Sequence, residues 1–324
     1  MKKSAFTVGR FFEILREPLH LELIGDDGGL KREIKSSEVS SPGLVLAGFV
    51  DRFPAQRVQV FGETEITYLA SLPATERSRL LETFFSFDVP CVVVTKGQAI
   101  PAEMRDRASA RGIPIIRTTL TTSDFYQRVK PVFIDEFAPT TTLHGSLADV
   151  YGIGLLFQGA SGIGKSECVL DLVERGHRLV ADDLVIASRR GSDIIIGRGH
   201  ENQRHHMEIR GVGVIDIPGI FGVRAVRQQK RIEVVVQLEH WDKAENVDRT
   251  GLDAHTADIL GVELPKAVIP VNPGKNITVV AEVVAMNHLL KYSGVNAAES
   301  FNDQLIARMR ATADLRRYLA EDDE

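Results

Sequence analysis

The chain has little of what marks several classes of protein. Among its 324 residues only Cys91 and Cys168 are cysteines, and no C-x-x-C pair occurs. That excludes a disulfide framework, a Cys-based zinc site and a dithiol redox motif. Cys91 opens an apolar run and Cys168 sits on a helical face, so each reads as a small buried hydrophobe. Long hydrophobic runs are also missing. Stretches such as Gly43–Val50 fall well short of the ~20 apolar residues a membrane-spanning helix needs, so no membrane attachment is expected. Nor does charge of one sign dominate: 39 Lys and Arg stand against 44 Asp and Glu, a net charge of −5 with no basic run. A nucleic-acid groove is therefore not expected. The start, Met1-Lys2-Lys3-Ser4, is charged but leads into no apolar core with a cleavage site, so a cytoplasmic enzyme is the expectation.

The chain does have enough apolar residues, 44%, to bury a sizeable core, and at roughly 100–200 residues per domain its length predicts two domains. Residues 1–131 read as one α/β domain. Arg57–Phe61, Cys91–Thr95 and Ile113–Arg117 have the short β-branched or alternating pattern of strands. Thr75–Phe87, Pro101–Gly112 and Thr122–Phe137 read as helices, the last with Ser123 as its predicted N-cap. Strands alternating with helices predict a doubly wound sheet. Gly25–Gly29 reads as a tight turn rather than an acidic metal loop. The boundary is expected around Val132–Thr142, where Pro131 and Pro139 flank an irregular Thr140–Leu143.

Residues 132–324 carry more short strands than helices, which predicts a mixed sheet. Strand-like runs fall at Leu143–Gln158, Leu179–Ile186, Asp193–Gly197, Gly213–Ile217, Ile232–Leu238 and Ile277–Glu282. Helices are predicted at Lys165–Arg175 and Ser300–Leu319.

Chemistry concentrates in this second half. Gly159-Ala160-Ser161-Gly162-Ile163-Gly164-Lys165-Ser166 fits G-x-x-x-x-G-K-[ST], between a strand and a helix. The glycines let successive N–H groups turn inward toward phosphate oxygens. Lys165 would set a compact positive charge against the β- and γ-phosphates, and Ser166 offers a hydroxyl to Mg²⁺. The start of the helix adds its positive dipole end. The pattern predicts ATP and Mg²⁺ binding.

Asp182 and Asp183 end a predicted strand. Beside the glycine-rich loop, one carboxylate could hold Mg²⁺ and the other accept a proton from an incoming hydroxyl. In isolation they would be a solvent-facing acidic strand end. Glu208 could complete a Mg²⁺ shell or simply pair with Arg210 on the surface. Arg249, in a loop, has the planar permanent charge suited to developing phosphoryl charge, though alone it reads as a surface arginine. Pro270–Asn276 is a rigid turn with Lys275 near its tip, and His144 precedes the apolar run into the loop, where it could touch phosphate or tune Asp182. His200, His205 and His206 form only a weak metal-site candidate.

The order of these residues resembles one family. His144-Gly145, Gly159–Ser166, Arg175–Asp183, Met207–Asp216, Asp248-Arg249 and Pro270–Asn276 follow the series of the HPr kinase/phosphorylase family. Ser41–Leu44, Arg57–Glu63 and Pro90–Thr95 resemble its N-terminal domain. The resemblance implies phosphorylation of a serine on the phosphocarrier HPr, and its removal by inorganic phosphate with release of pyrophosphate. It implies a C-terminal P-loop kinase domain akin to phosphoenolpyruvate carboxykinase, a hexamer, and a role in regulating the sugar phosphotransferase system. His144, Lys165, Asp182 and Arg249 would match active-site positions, with Asp182 as the proton acceptor and donor. Ser166 and Glu208 would match Mg²⁺ ligands, and Pro270, Val271, Asn272, Pro273, Gly274 and Lys275 the segment needed for dephosphorylation. Where the family usually has arginines, this chain has Asn272 and Lys275. That predicts weaker phosphorolysis, since lysine cannot bind phosphate bidentately. A metabolite kinase on the same scaffold and a nucleotide sensor without transfer are the rival readings.

Overall fold

The structure is a computed structural model and describes residues 5–25, 27–200, 205–243, 255–272 and 274–321. It divides into two compact units, Met1–Ala138 and Pro139–Glu324.

In the first unit the elements run α1 (Val8–Leu15), β1 (Leu21–Ile24), β2 (Val39–Ser40), α2 (Gly43–Leu46), β3 (Val58–Phe61), α3 (Glu63–Ser71), α4 (Ala74–Phe85), β4 (Val92–Val94), α5 (Ala102–Ala110), β5 (Ile115–Thr118) and α6 (Thr122–Phe137). Strands β2, β3, β4 and β5 are parallel neighbours, and β1 joins β5 antiparallel at the edge. Successive residues of β4 face opposite ways. Val93 enters a core with Phe11, Phe125 and Phe133, while Val92 and Val94 enter one with Leu81, Phe84 and Met104. The sheet is therefore covered on both faces, as expected from the alternation.

One expectation needs correction here. Thr121, not Ser123, caps α6, its side chain accepting from the Asp124 N–H. The helix also runs through Pro131, and the division between the units falls at Ala138/Pro139, within the stretch Val132–Thr142. A proline inside a helix costs a hydrogen bond. Burial of Phe125, Val129 and Phe133, with Phe6 packed edge-on against Phe133 and Phe137, offsets that loss.

The second unit runs β6 (Thr140–His144), β7 (Ser146–Val150), β8 (Ile153–Gln158), α7 (Lys165–Glu174), β9 (Arg178–Ala181), β10 (Leu184–Arg190), β11 (Ile194–Gly199), β12 (His206–Ile209), β13 (Gly213–Asp216), α8 (Ile217–Phe221), β14 (Gln229–Arg231), β15 (Val234–His240), β16 (Thr256–Ile259), β17 (Val262–Val271), α9 (Ile277–Tyr292) and α10 (Ala297–Glu321). Six strands form a mixed sheet in the order β16-β17-β15-β8-β7-β9, and four form an antiparallel sheet in the order β14-β11-β10-β6. Leu155 and Phe157 of β8 pack toward α7 and α9, while Leu156 packs between the two sheets. Buried on both faces, β8 reads as a continuous apolar run.

Strand directions decide where the chemistry lies. β8, β15 and β17 are mutually parallel. β7 is antiparallel to β8 and to β9, so β9 also runs with β8. The chain therefore leaves β8, β9, β15 and β17 at one edge of the sheet, where ligands of such sheets bind.

Three local expectations in this unit are corrected. The threonines at 140–142 are strand residues of β6 rather than an irregular linker, since β-branched side chains suit a pleated surface. Leu179–Ile186 is two strands in different sheets, broken at Asp182–Asp183, where Asp183 takes a left-handed conformation (φ 60°). Ile277–Glu282 is the start of helix α9: the Asn276 side chain caps the Val279 N–H and overrides the strand preference of Ile277-Thr278-Val279-Val280.

A candidate phosphoryl-transfer site

The edge where β8 ends carries the glycine-rich loop. Gly159 approaches β15 so closely that a Cβ would stand 2.6 Å from the Leu238 carbonyl oxygen, and its φ is 149°. Only glycine allows the turn there. The loop delivers Lys165 and Ser166 as the first residues of α7, whose Cys168, Val169, Leu172 and Val173 are buried against the sheet. Lys165 Nζ donates to the carbonyl oxygens of Gly159 and Ala160 at 3.1 and 3.0 Å.

Asp182 follows β9 at the same edge. Its Oδ1 accepts from Ser166 Oγ at 3.1 Å and from Ser146 Oγ at 2.5 Å. Its Oδ2 is buried and has no hydrogen-bond partner among the described residues. Burial pushes the Asp182 carboxyl above the usual carboxylate range, and the neighbouring Asp183 adds to the rise against the lowering effect of the two hydroxyls. β9 is not next to β8. β7 lies between them, and its first residue, Ser146, supplies the contact.

The chain crosses between the sheets at Gly145 and at Asp183, and the Gly145 N–H donates to the Asp183 carbonyl at 3.0 Å. His144 sits at that crossing, opposite Leu184, and is exposed.

Ser161, Lys165, Ser166, Asp183, Glu208 and Arg210 line a cavity of about 330 Å³, the size of a small-ligand site. Glu208 belongs to β12, in a hairpin with β13. It does not pair with Arg210. The Arg210 guanidinium lies over Gly162, where a Cβ would stand 2.9 Å from Nη1. With Lys165, it makes the cavity a place for anions beside carboxylates that could hold a cation.

The structure thus brings Lys165, Ser166, Asp182 and Glu208 into one neighbourhood. Gly159, Ala160, Ser161, Gly162, Ile163 and Gly164 form the loop itself. Pro270, Val271, Asn272, Gly274 and Lys275 leave β17 at the same edge, with Pro270 opposite Glu239 of β15. The Lys275 N–H closes this turn on the Asn272 carbonyl at 3.2 Å. Arg249, Pro273 and Asp26 lie outside the described residues. No cluster of three or more His, Cys, Asp or Glu able to hold a metal occurs among the described residues, which take in His200, His205 and His206 but not residues 201–204. Sequence reasoning missed Ser146 and Arg210. A serine directly after His144-Gly145 and a cation before Gly211 were the available signals.

A glycine-rich loop at the start of a helix, joined through a serine to a buried carboxylate, is an arrangement suited to a phosphoryl-transfer enzyme. The comparisons with known proteins then narrow the class. Residues 6–133 match the model of the HPr Serine kinase N terminus, and residues 135–305 that of the HPr Serine kinase C-terminal domain. The chain is 46% identical over 314 residues to the HPr kinase/phosphorylase of Chloroherpeton thalassium, covering 96% of this chain and 92% of that protein. It is 42% identical to that of Bacillus cereus strain AH820, covering 90% and 95% respectively. A solved structure, the Hpr(Ser) kinase/phosphatase from Coxiella burnetii, is 32% identical and covers 50% of this chain and 98% of that one, at a TM-score of 0.45. The chain belongs to the HPr kinase/phosphorylase family, a family of kinase/phosphorylase enzymes.

Proposed function

We propose that this chain phosphorylates a serine of the phosphocarrier HPr from ATP and removes that phosphate with inorganic phosphate, releasing pyrophosphate. The observation that carries the reading is Asp182: a buried carboxylate with a raised pKa, one oxygen without a partner, joined to Ser166 in the first turn after the phosphate cradle. A serine hydroxyl is a weak nucleophile, and a base whose pKa lies nearer to neutrality is better matched to its proton.

In the forward direction the carrier's serine oxygen attacks the γ-phosphorus and Asp182 takes the hydroxyl proton. The bond from the γ-phosphorus to the bridging oxygen breaks, and ADP leaves. In reverse, an oxygen of inorganic phosphate attacks the phosphoserine phosphorus. The bond from phosphorus to the serine oxygen breaks, Asp182 returns the proton to that oxygen, and pyrophosphate leaves. Lys165, the loop N–H groups and Arg210 neutralise the phosphate charge in both directions, where most of the rate gain in such reactions arises.

The donor set suits Mg²⁺: the Ser166 hydroxyl and the Glu208 carboxylate, which line the same cavity, are hard oxygen ligands. Mg²⁺ commonly takes one or two carboxylates and completes its shell with water and substrate phosphates. When bound, it neutralises and aligns the phosphates. His144 at the sheet crossing and Arg249 are further active-site residues of this reading.

The C-terminal unit is then a P-loop kinase fold akin to phosphoenolpyruvate carboxykinase. The chain works as a cytoplasmic hexamer that regulates the sugar phosphotransferase system and carbon metabolism. No helix among the described residues is long and apolar enough to cross a membrane. The test is the intact mass of purified HPr after incubation with the protein and Mg²⁺·ATP. A single added phosphate on serine is expected, lost on adding excess inorganic phosphate with pyrophosphate released. ATP bound or consumed without modification of HPr would favour a metabolite kinase or a nucleotide sensor.

A further inference from the structure

Helix α9 starts where the Pro270–Lys275 segment ends. Its buried side chains are Thr278, Ala281, Glu282 and Ala285, and Ile277, Val280 and Val284 pack partly buried against the same core. Two alanines remove little apolar area from water, so the two buried polar side chains carry a large share of the helix's attachment. Both bind α7 or the residues that follow it. Thr278 Oγ1 donates to Asp171 Oδ2 at 3.2 Å. Arg175 donates bidentately to Glu282, at 2.8 and 2.7 Å, and His177 Nε2 donates to the same carboxylate at 3.1 Å. Tyr151 packs edge-on against His177, with ring centroids 4.6 Å apart, and restrains the imidazole.

The clamp has two rungs. Asp171 of α7 and Arg175, the residue that caps its C-terminus, lie four residues apart, and Thr278 and Glu282 lie one turn apart along α9. Helix α7 does not depend on it, because Cys168, Val169, Leu172 and Val173 already hold α7 to the sheet. Losing the clamp would therefore loosen α9, and with it the turn at its N-terminus, before it disturbed the phosphate cradle.

We infer that Thr278 and Glu282 are positioning residues that hold the Asn272–Lys275 turn at the catalytic edge, and that dephosphorylation depends on them far more than phosphorylation does. The inference rests on the function proposed above. The asymmetry is electrostatic. In phosphorylation the acceptor is a neutral hydroxyl. In dephosphorylation two phosphate anions must meet, so a further cation is needed at their contact. Lys275 is a cation on the turn that α9 carries, and a displacement of about 1 Å at such a group can cost ~10²-fold in rate.

The experiment uses the full chain with Thr278→Val, Glu282→Gln and the conservative Thr278→Ser, with two readouts. Hydrogen exchange tests the clamp without reference to activity. The first two substitutions should speed exchange of the α9 N-terminal amides while those of α7 stay protected. Steady-state rates in both directions test the function. Thr278→Val and Glu282→Gln should lower phosphate-dependent dephosphorylation at least ~10-fold, mainly through a higher KM for phosphate, with phosphorylation changed less than about threefold. Thr278→Ser should restore both readouts. Unchanged exchange would sink the clamp. Faster exchange with both rates falling together, or with dephosphorylation intact, would sink the link to direction. A wild-type protein inactive on HPr in both directions would instead sink the functional reading beneath it.

Discussion

The two units bury different things. Among the described residues, the buried polar side chains of the first unit are Gln59, Thr95 and Thr118, all neutral. The second unit buries the neutral Ser146 and Thr278 as well, but adds five ionisable side chains: Asp149, His177, Asp182, Lys230 and Glu282. Burying a charge is costly unless it is paired, so such groups mark places where something other than core packing decided the residue. Four of the five have a charged or ionisable partner: Asp149 with Arg227, His177 with Glu282, Glu282 also with Arg175, and Lys230 with Glu233. Asp182 has no oppositely charged partner among the described residues and accepts from the hydroxyls of Ser146 and Ser166. The contrast between two buried carboxylates follows. The Arg175 hydrogen bonds hold Glu282 below the usual carboxylate range, whereas burial holds Asp182 above it. One carboxylate is stabilised as an anion and fixes structure. The other is left able to take up a proton.

The sharpest way to break this comparison begins with charge neutralisation. Lys165→Ala should abolish turnover in both directions, a loss of ~10³-fold or more, measured on HPr and on its phosphoserine form. Asp182→Asn should keep nucleotide binding, measured by calorimetry, and lower turnover by ~10²-fold or more.

The same pair predicts opposite dependences of stability on pH. Asp182 has a folded pKa above its unfolded one, so folding favours its protonated form, and its contribution to stability declines as pH rises from the unfolded value through the folded one. Glu282 has a lowered folded pKa, so its contribution is present above the unfolded value and is lost as pH falls through the folded one. In urea melts across acidic pH, Asp182→Asn should remove the first trend and Glu282→Gln the second. The first unit should answer only to packing. Phe84 is fully buried against the rings of Phe53, Phe61 and Phe85, and Phe84→Ala should cost about 3–5 kcal/mol. Turnover below the melting range should be unchanged. The smallest effect expected is from Asn272→Arg with Lys275→Arg, which should raise dephosphorylation relative to phosphorylation a few-fold. An unchanged ratio would remove those positions from the account.

Much of this was legible from local pattern. The glycine-rich loop announces itself because its residues act within one short segment and the strand and helix beside it carry ordinary apolar periodicity. The first unit was partly legible for the same reason, though α1, β1 and α3 were not foreseen. What stayed hidden depends on distant chain. The break at Asp182–Asp183 exists because the chain changes sheets there, and Gly145, at the crossing between β6 and β7, bonds to it. Ile277–Glu282 looks like a strand until Asn276 is seen to cap it and Asp171, Arg175 and His177 to receive it. Arg210 looked like a surface partner for Glu208 because only the folded hairpin brings it over Gly162.

The most direct test of the base assignment is the single-turnover rate of HPr phosphorylation against pH, in the wild type and in Asp182→Asn with nucleotide saturating. The account predicts that the wild-type rate rises with pH through an apparent pKa above the usual carboxylate range, and that Asp182→Asn is slow and has lost this rise. Wild-type turnover in Asp182→Asn, or the same rise persisting in it, would contradict the assignment of Asp182 as the group that takes the serine proton.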